Sequence, residues 1–183
     1  MSNGIKVKKR DGTIESLNLE KMHKMMEAAC NGLSGVSASQ VEMQSGIQFY
    51  DGISTSAVQE ILIKSASDLI DLDHPNYQFV AARLLLFAIR KQLSVIFKRN
   101  PSLVEQIEYG VTHNVYDATI FEKYTEEELN TVNSFIYHDR DYLFTYAGLR
   151  QVVDKYLVQD RSTGRVFETP QQIRLPWVIE IPQ

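Results

Sequence analysis

From Pro75 to Phe97 the sequence reads PNYQFVAARLLLFAIRKQLSVIF, with a proline only at its start and apolar residues returning at Tyr77, Val80, Ala81, Leu84, Phe87 and Ala88. That spacing is helical, and proline is permitted at an early helical position. A long helix with an apolar side has to be covered, and the preceding segments supply the cover. Met22, Met25, Met26, Ala29 and Leu33 recur at helical spacing, with Gly32 as a stop. Ser39-Gln40-Val41-Glu42 has capping-box form and leads into Val41, Ile47 and Phe49. Ser56 with Gln59 three residues on gives a second such signature, ahead of Val58, Ile61, Leu62, Ser65, Leu69 and Leu72. In front of everything, Ile5–Lys9 and Thr13–Leu17 flank Asp11-Gly12, a hairpin signal, and Asn18 stands at a helix N-cap. Residues 1–97 therefore read as a hairpin followed by four helices.

Arg99-Asn100-Pro101 marks a boundary. Beyond it, helical patterns run over Ser102–His113, Thr119–Tyr124, Thr125–Tyr137 and Asp139–Tyr156. Thr125-Glu126-Glu127-Glu128 forms a capping box whose acids face the positive end of the helix. Tyr156-Leu157-Val158 and Arg165-Val166-Phe167 flank Ser162-Thr163-Gly164 as a second hairpin. The expected organisation is a mainly α chain. Residues 1–97 form one domain, 98–172 a helical segment ending in a β-hairpin, and 173–183 a divergent tail around Trp177.

Charge is spread unevenly over the 183 residues, whose formal net charge is −4. The first 24 hold Lys6, Lys8, Lys9, Arg10, Lys21 and Lys24 against Asp11, Glu15 and Glu20, a balance of +3 that leaves −7 for the rest. An acidic body argues against duplex nucleic acid, whose affinity comes from many phosphate contacts. A compact basic cluster suits a small polyanion, although lysines also serve to protect an exposed strand edge. No apolar run approaches the roughly 20 residues that cross a bilayer, and the N-terminus lacks a secretory core. We therefore expect a cytoplasmic protein without a membrane partner. Cys30 is the single cysteine, which excludes an internal disulfide and any multi-thiolate zinc site and reads as a core filler.

If the hairpin packs over the helices, Lys9 and Arg10 end the first strand, Asn18 and Lys21 begin the first helix, and Thr55 begins the third. Lys91 projects from the late turns of the fourth. Helix starts offer unpaired backbone amides, and converging lysines supply charge, which together make a polyphosphate site. Glu15 is placed to accept from a sugar hydroxyl or base amine. No Walker or Rossmann glycine pattern is present. His138-Asp139-Arg140-Asp141 and Glu126-Glu127-Glu128 read as helix-start acids rather than a metal site.

The ordered blocks VKKRDGTIESLNLEKMHKMMEAACNGL, VSASQVE, IQFYDGISTS, ILIKSASDLI and PNYQFVAARLLLFAIRK closely resemble the ATP-cone. This is the N-terminal regulatory domain of the large subunit of class I ribonucleotide reductase, of the bacterial and T4-like phage type. The likeness continues through KYTEEEL, HDRDYLFTYAGLRQ and KYLVQDRSTGRVFETPQ, covering roughly residues 5–171. It implies a four-helix bundle capped by a small sheet that binds ATP as activator or dATP as inhibitor, together with Mg2+. The family's nucleotide contacts fall on Lys9, Glu15, Ser16, Leu17, Asn18, Leu19, Glu20, Lys21, Thr55 and Lys91. The pocket lining implied is Val7, Arg10, Met22, Val58, Gln59 and Phe87. Position 59 is Gln where close relatives often carry His, which removes a titratable cation. Ala28 stands where some relatives carry a tryptophan, against which a second nucleotide would stack.

Catalysis in the family uses a radical cysteine and a redox cysteine pair in a barrel far downstream, and one cysteine within the cone cannot house it. After Gln171 the sequence departs from the family into QIRLPWVIEIPQ. The resemblance thus implies a natural piece of a split large subunit, or a truncated product, that is not catalytic alone. Its partners would be the catalytic fragment, the small radical-generating subunit and further copies of itself in a homo-oligomer. The alternative is a structural or interaction fragment that completes a reductase assembly without binding nucleotide. An ATP-cone transcriptional repressor is excluded, since its zinc ribbon needs about four cysteines.

Overall fold

The computed structural model describes residues 5–9, 12–160 and 163–173. Arg10, Asp11, Ser162 and the tail with Trp177 lie outside the described residues. The chain is mainly helical with a small three-stranded sheet. It divides into two compact units, residues 1–85 with 144–147, and residues 86–143 with 148–183. Among the described residues no helix is long and apolar enough to cross a membrane.

In the first unit the expected hairpin is β1 (Lys6–Lys8) and β2 (Ile14–Ser16), antiparallel with Val7 opposite Glu15. Gly12 has φ +85°, a conformation that costs a residue without Cβ little, and its N–H donates to the Lys9 carbonyl. A third strand, β3 (Ile53–Ser54), was not expected and pairs parallel to β1, giving the order β2-β1-β3. The helices are α1 (Leu19–Cys30), α2 (Ala38–Gly46), α3 (Thr55–Asp68) and α4 (Tyr77–Phe97). Two caps differ from the sequence reading. The residue capping α2 is Ser37, not Ser39, and its hydroxyl makes no cap bond. Helix α3 is capped by Ser54, whose Oγ accepts from Ala57 N–H, rather than by Ser56. Helix α1 packs on α2 and α2 on α3, around Met26, Ala29, Val41, Ile53, Leu62, Ile63 and Ala66. Arg83 on α4 donates to the carbonyls of Ala29 and Asn31, closing the end of α1. Cys30 at that end is half-buried rather than a full core residue, and burial pushes its thiol up.

The second unit contains α5 (Leu103–Thr112), α6 (Ile120–Lys123) and α7 (Glu126–Asn133) around a core of Leu103, Val104, Ile107, Ile120 and Leu129. The Thr125–Glu128 capping box forms as expected, and Ser102–Glu105 makes another at α5. The continuous helix expected over 139–156 is instead a 3-10 helix (His138–Leu143) followed by α8 (Tyr146–Lys155). The 3-10 turn is tied to α4. Arg90 Nη2 takes the His138 carbonyl at 2.9 Å, the acceptor a continuing α-helix would offer to the amide four residues on. Asp141 is buried beneath it, held by Arg90 and by Gln171 Nε2 at 3.2 Å. Its burial pushes the carboxyl above its ordinary range. The second hairpin is a single bridge between Gln159 and Val166, with Asp160 N–H donating to the Arg165 carbonyl.

Candidate functional site

The register of the small sheet decides what the N-terminal cations can do together. Because β1 and β3 run parallel with Lys8 beside Ser54, the chain leaves β3 into α3 next to the end of β1 where Lys9 sits. Lys9 also begins the hairpin turn, donating its backbone N–H to the Thr13 carbonyl at 2.8 Å. The basic turn and the start of α3, Thr55 included, therefore share one end of the sheet. There Ser54 and Ser56 pair their hydroxyls at 3.0 Å. These two hydroxyls flank Thr55 at the helix start, and the parallel β3 pairing sets them beside the end of β1.

Helix α1 begins at the opposite end. Leu17 N–H donates to the Ile5 carbonyl, and Asn18 follows as N-cap, its Oδ1 accepting from Lys21 N–H at 2.8 Å. Ile5 and Lys8 are three residues apart along β1, about 10 Å at strand rise. The two helix starts therefore do not meet at a point; they bracket the sheet along its length. Between them lie Glu15 and Ser16 on β2.

Each expected side chain has a definite setting. Lys9 Nζ sits 2.6 Å from Glu15 Oε2, both about half exposed (43% and 48%). A pair that open contributes at most about 1 kcal/mol, so an anion competes for Lys9 at small cost. Glu20 accepts from Lys24 at 2.6 Å on the outer face of α1, and Leu19 is exposed. Val7, Met22 and Val58 are buried, so they supply core rather than open surface. The amide of Gln59 donates to the Leu84 carbonyl at 3.2 Å and approaches Met25 Sδ at 3.7 Å, tying α3 to α4. Lys91 and Phe87 lie in the second unit. Lys91 is exposed on α4, and the Phe87 ring meets Tyr142 edge-on with centroids 6.5 Å apart. Among the described residues no group of three or more His, Cys, Asp or Glu is arranged to hold a metal.

A hairpin-led sheet, capped helix starts and an exposed lysine at the turn describe a small helical domain with a sheet at its N-terminus, and residues 5–92 match the ATP cone domain family. Over 171 residues, 93% of its length, the chain is 47% identical to the ribonucleoside-diphosphate reductase 1 subunit alpha of Escherichia coli K12. It is 45% identical over 175 residues to the ribonucleoside-diphosphate reductase subunit alpha of Haemophilus influenzae and 38% identical over 169 to that of Enterobacteria phage T4. The chain aligns with the N-terminal region of these proteins and spans 22%, 23% and 22% of their respective lengths.

Proposed function

We propose that residues 5–92 bind ATP or dATP as an allosteric effector of ribonucleotide reduction, the reaction itself being carried out by a separate catalytic portion. The observation that carries this reading is the parallel β1–β3 register, which sets the basic turn and Lys9 beside the hydroxyl-rich start of α3. The phosphates take Lys9, the start of α3 at Thr55 and the Ser54–Ser56 hydroxyls. The sugar and base extend along the sheet toward Glu15, Ser16 and the Asn18–Lys21 turn, a span that an extended nucleoside triphosphate bridges. At an intermediate effective dielectric, a lysine 4 Å from a phosphate charge gains about 4 kcal/mol before desolvation. Mg2+ accompanies the nucleotide and shields its charge. Lys91 contributes by resemblance. The partners proposed with this reading are the catalytic region, the small radical-generating subunit and further copies of the chain.

The test is a titration with a fluorescent ATP analogue. Lys9→Ala weakens binding about 10- to 150-fold, the range of one charged hydrogen bond, and Lys91→Ala weakens it too. Lys64→Ala, on an α3 lysine paired with Asp68, leaves it unchanged. Equal affinity for wild type and Lys9→Ala removes the reading.

A second reading is favoured by one observation. The Gln59 amide, where the resemblance expects a histidine beside phosphates, is already committed to the Leu84 carbonyl. In that case the piece completes a reductase assembly without nucleotide. Co-purification with a catalytic fragment that proceeds equally with and without ATP supports it.

A further inference from the structure

Helix α2 is thinly anchored. Of its nine residues only Val41 and Ser45 are buried, and its N-cap side chain makes no hydrogen bond. Much of its attachment is therefore polar. At its start the Tyr77 hydroxyl accepts from Ser37 N–H and donates to Gln40 Oε1. Further along, His23 of α1 reaches across to Glu42 of α2, with Nδ1 2.9 Å from Glu42 Oε1. Its other ring nitrogen, Nε2, lies 3.3 Å from Glu27 Oε1 one turn along α1.

Both ring nitrogens thus face carboxylates, which when ionised only accept hydrogen bonds. A neutral imidazole carries one N–H and presents a lone pair at the other nitrogen. It satisfies one carboxylate and turns a lone pair toward the second. Only the imidazolium, with two N–H groups, satisfies both. We propose that His23 is a proton-operated clamp that holds α2 against α1 when charged and loosens it when neutral.

The charge environment agrees. The groups acting on the ring from the two helices are Glu42 and Glu27, and both raise its pKa, the Glu42 hydrogen bond most of all. The nearest cation along α1, Lys24, is paired with Glu20 at 2.6 Å. The sign follows from the raised folded-state value. The stabilisation is complete below the ordinary histidine value of 6.5 and is lost as pH rises through the higher folded-state value. The clamp therefore loosens as pH rises above 6.5 through the raised folded-state value. It requires no nucleotide, so it stands or falls apart from the effector reading.

The test follows the His23 ring by proton NMR across pH in the whole chain, alongside amide hydrogen exchange of residues 38–46 corrected for the intrinsic rate. The wild-type ring titrates above 6.5, and Glu42→Gln moves its midpoint down. Exchange in α2 rises about two- to fivefold across the wild-type midpoint, the range an exposed ion pair supplies, and stays flat in His23→Gln. A wild-type midpoint at or below 6.5, or α2 exchange that is flat with pH in the wild type, overturns the proposal. The histidine and glutamate variants alter half-exposed side chains (39% for His23, 31% for Glu42), so both are expected to fold.

Discussion

Gly110→Ala puts the packing of the second unit to a sharp test. Gly110 is buried on α5, and a Cβ built there falls 2.0 Å from Tyr116 Cδ2 and 2.5 Å from Cε2. The chain folds back over this residue, with the amides of Val115 and Tyr116 both donating to the Gly110 carbonyl. Ordinary carbon contacts need about 3.5 Å, so the ring has to retreat by about 1.5 Å. It is not free to do so. The Tyr116 hydroxyl accepts from Gln106 Nε2 at 2.8 Å and donates to buried Glu168 Oε2 at 2.9 Å, and a retreat of that size breaks both. Losing a hydrogen bond to a buried carboxylate costs about 1.5–3 kcal/mol, and residual overpacking adds about 1 kcal/mol or more. Alanine's better helix propensity returns about 1 kcal/mol, leaving a net loss of about 1.5–3 kcal/mol. Urea denaturation followed by circular dichroism measures it, and a double-mutant cycle isolates the cause. With Tyr116→Ala as background the clash is gone, and Gly110→Ala is expected to stabilise by about 1 kcal/mol. A Gly110→Ala protein within about 0.5 kcal/mol of wild type, or the same loss in both backgrounds, refutes the argument.

Three further outcomes are expected. Asp141→Ala leaves Arg90 without its carboxylate partner among buried groups and should cost about 3–5 kcal/mol by denaturant titration, whereas an exposed change such as Asp139→Ala stays within about 0.5 kcal/mol. Glu168, buried under Tyr116, Gln106 and the Val158 amide, has its carboxyl pushed up by burial, so its folded state holds the proton longer than the unfolded chain. Wild-type stability relative to Glu168→Gln should therefore fall as pH rises from about 4.5, the ordinary glutamate value. Ser102→Ala removes the cap of α5 and should cost about 1 kcal/mol near neutrality. Glu105 in the same box is held below its ordinary value by the Ser102 amide and Arg99, so its contribution is lost as pH falls through that lowered value.

Local signals in the sequence were enough for the features that local chemistry determines. The β1–β2 hairpin, the Asn18 cap, the Thr125–Glu128 box and the long α4 each depend on residues within a few positions of one another. Features that depend on distant partners were not legible. The two residues of β3 are too few to show alternation and exist through pairing with β1. Ser39–Glu42 looked like a capping box, but Glu42 turns to His23, nineteen positions away. The 3-10 turn at 138–143 is tied to Arg90, forty-eight residues before His138. The candidate site divides the same way. Lys9, Asn18 and Thr55 are candidates by residue type and by their places at a turn or a helix start. That the starts of α1 and α3 lie at opposite ends of β1 follows from the parallel β3 pairing, which no short-range pattern encodes.

The central claim, effector binding by the cone, is tested most directly by isothermal titration calorimetry of the whole chain with ATP and with dATP, each with Mg2+. Saturable heat is expected for both, with affinities within about 1 kcal/mol of each other because the two differ by one hydroxyl. Titrations that show no saturable heat with either nucleotide at millimolar concentration contradict it.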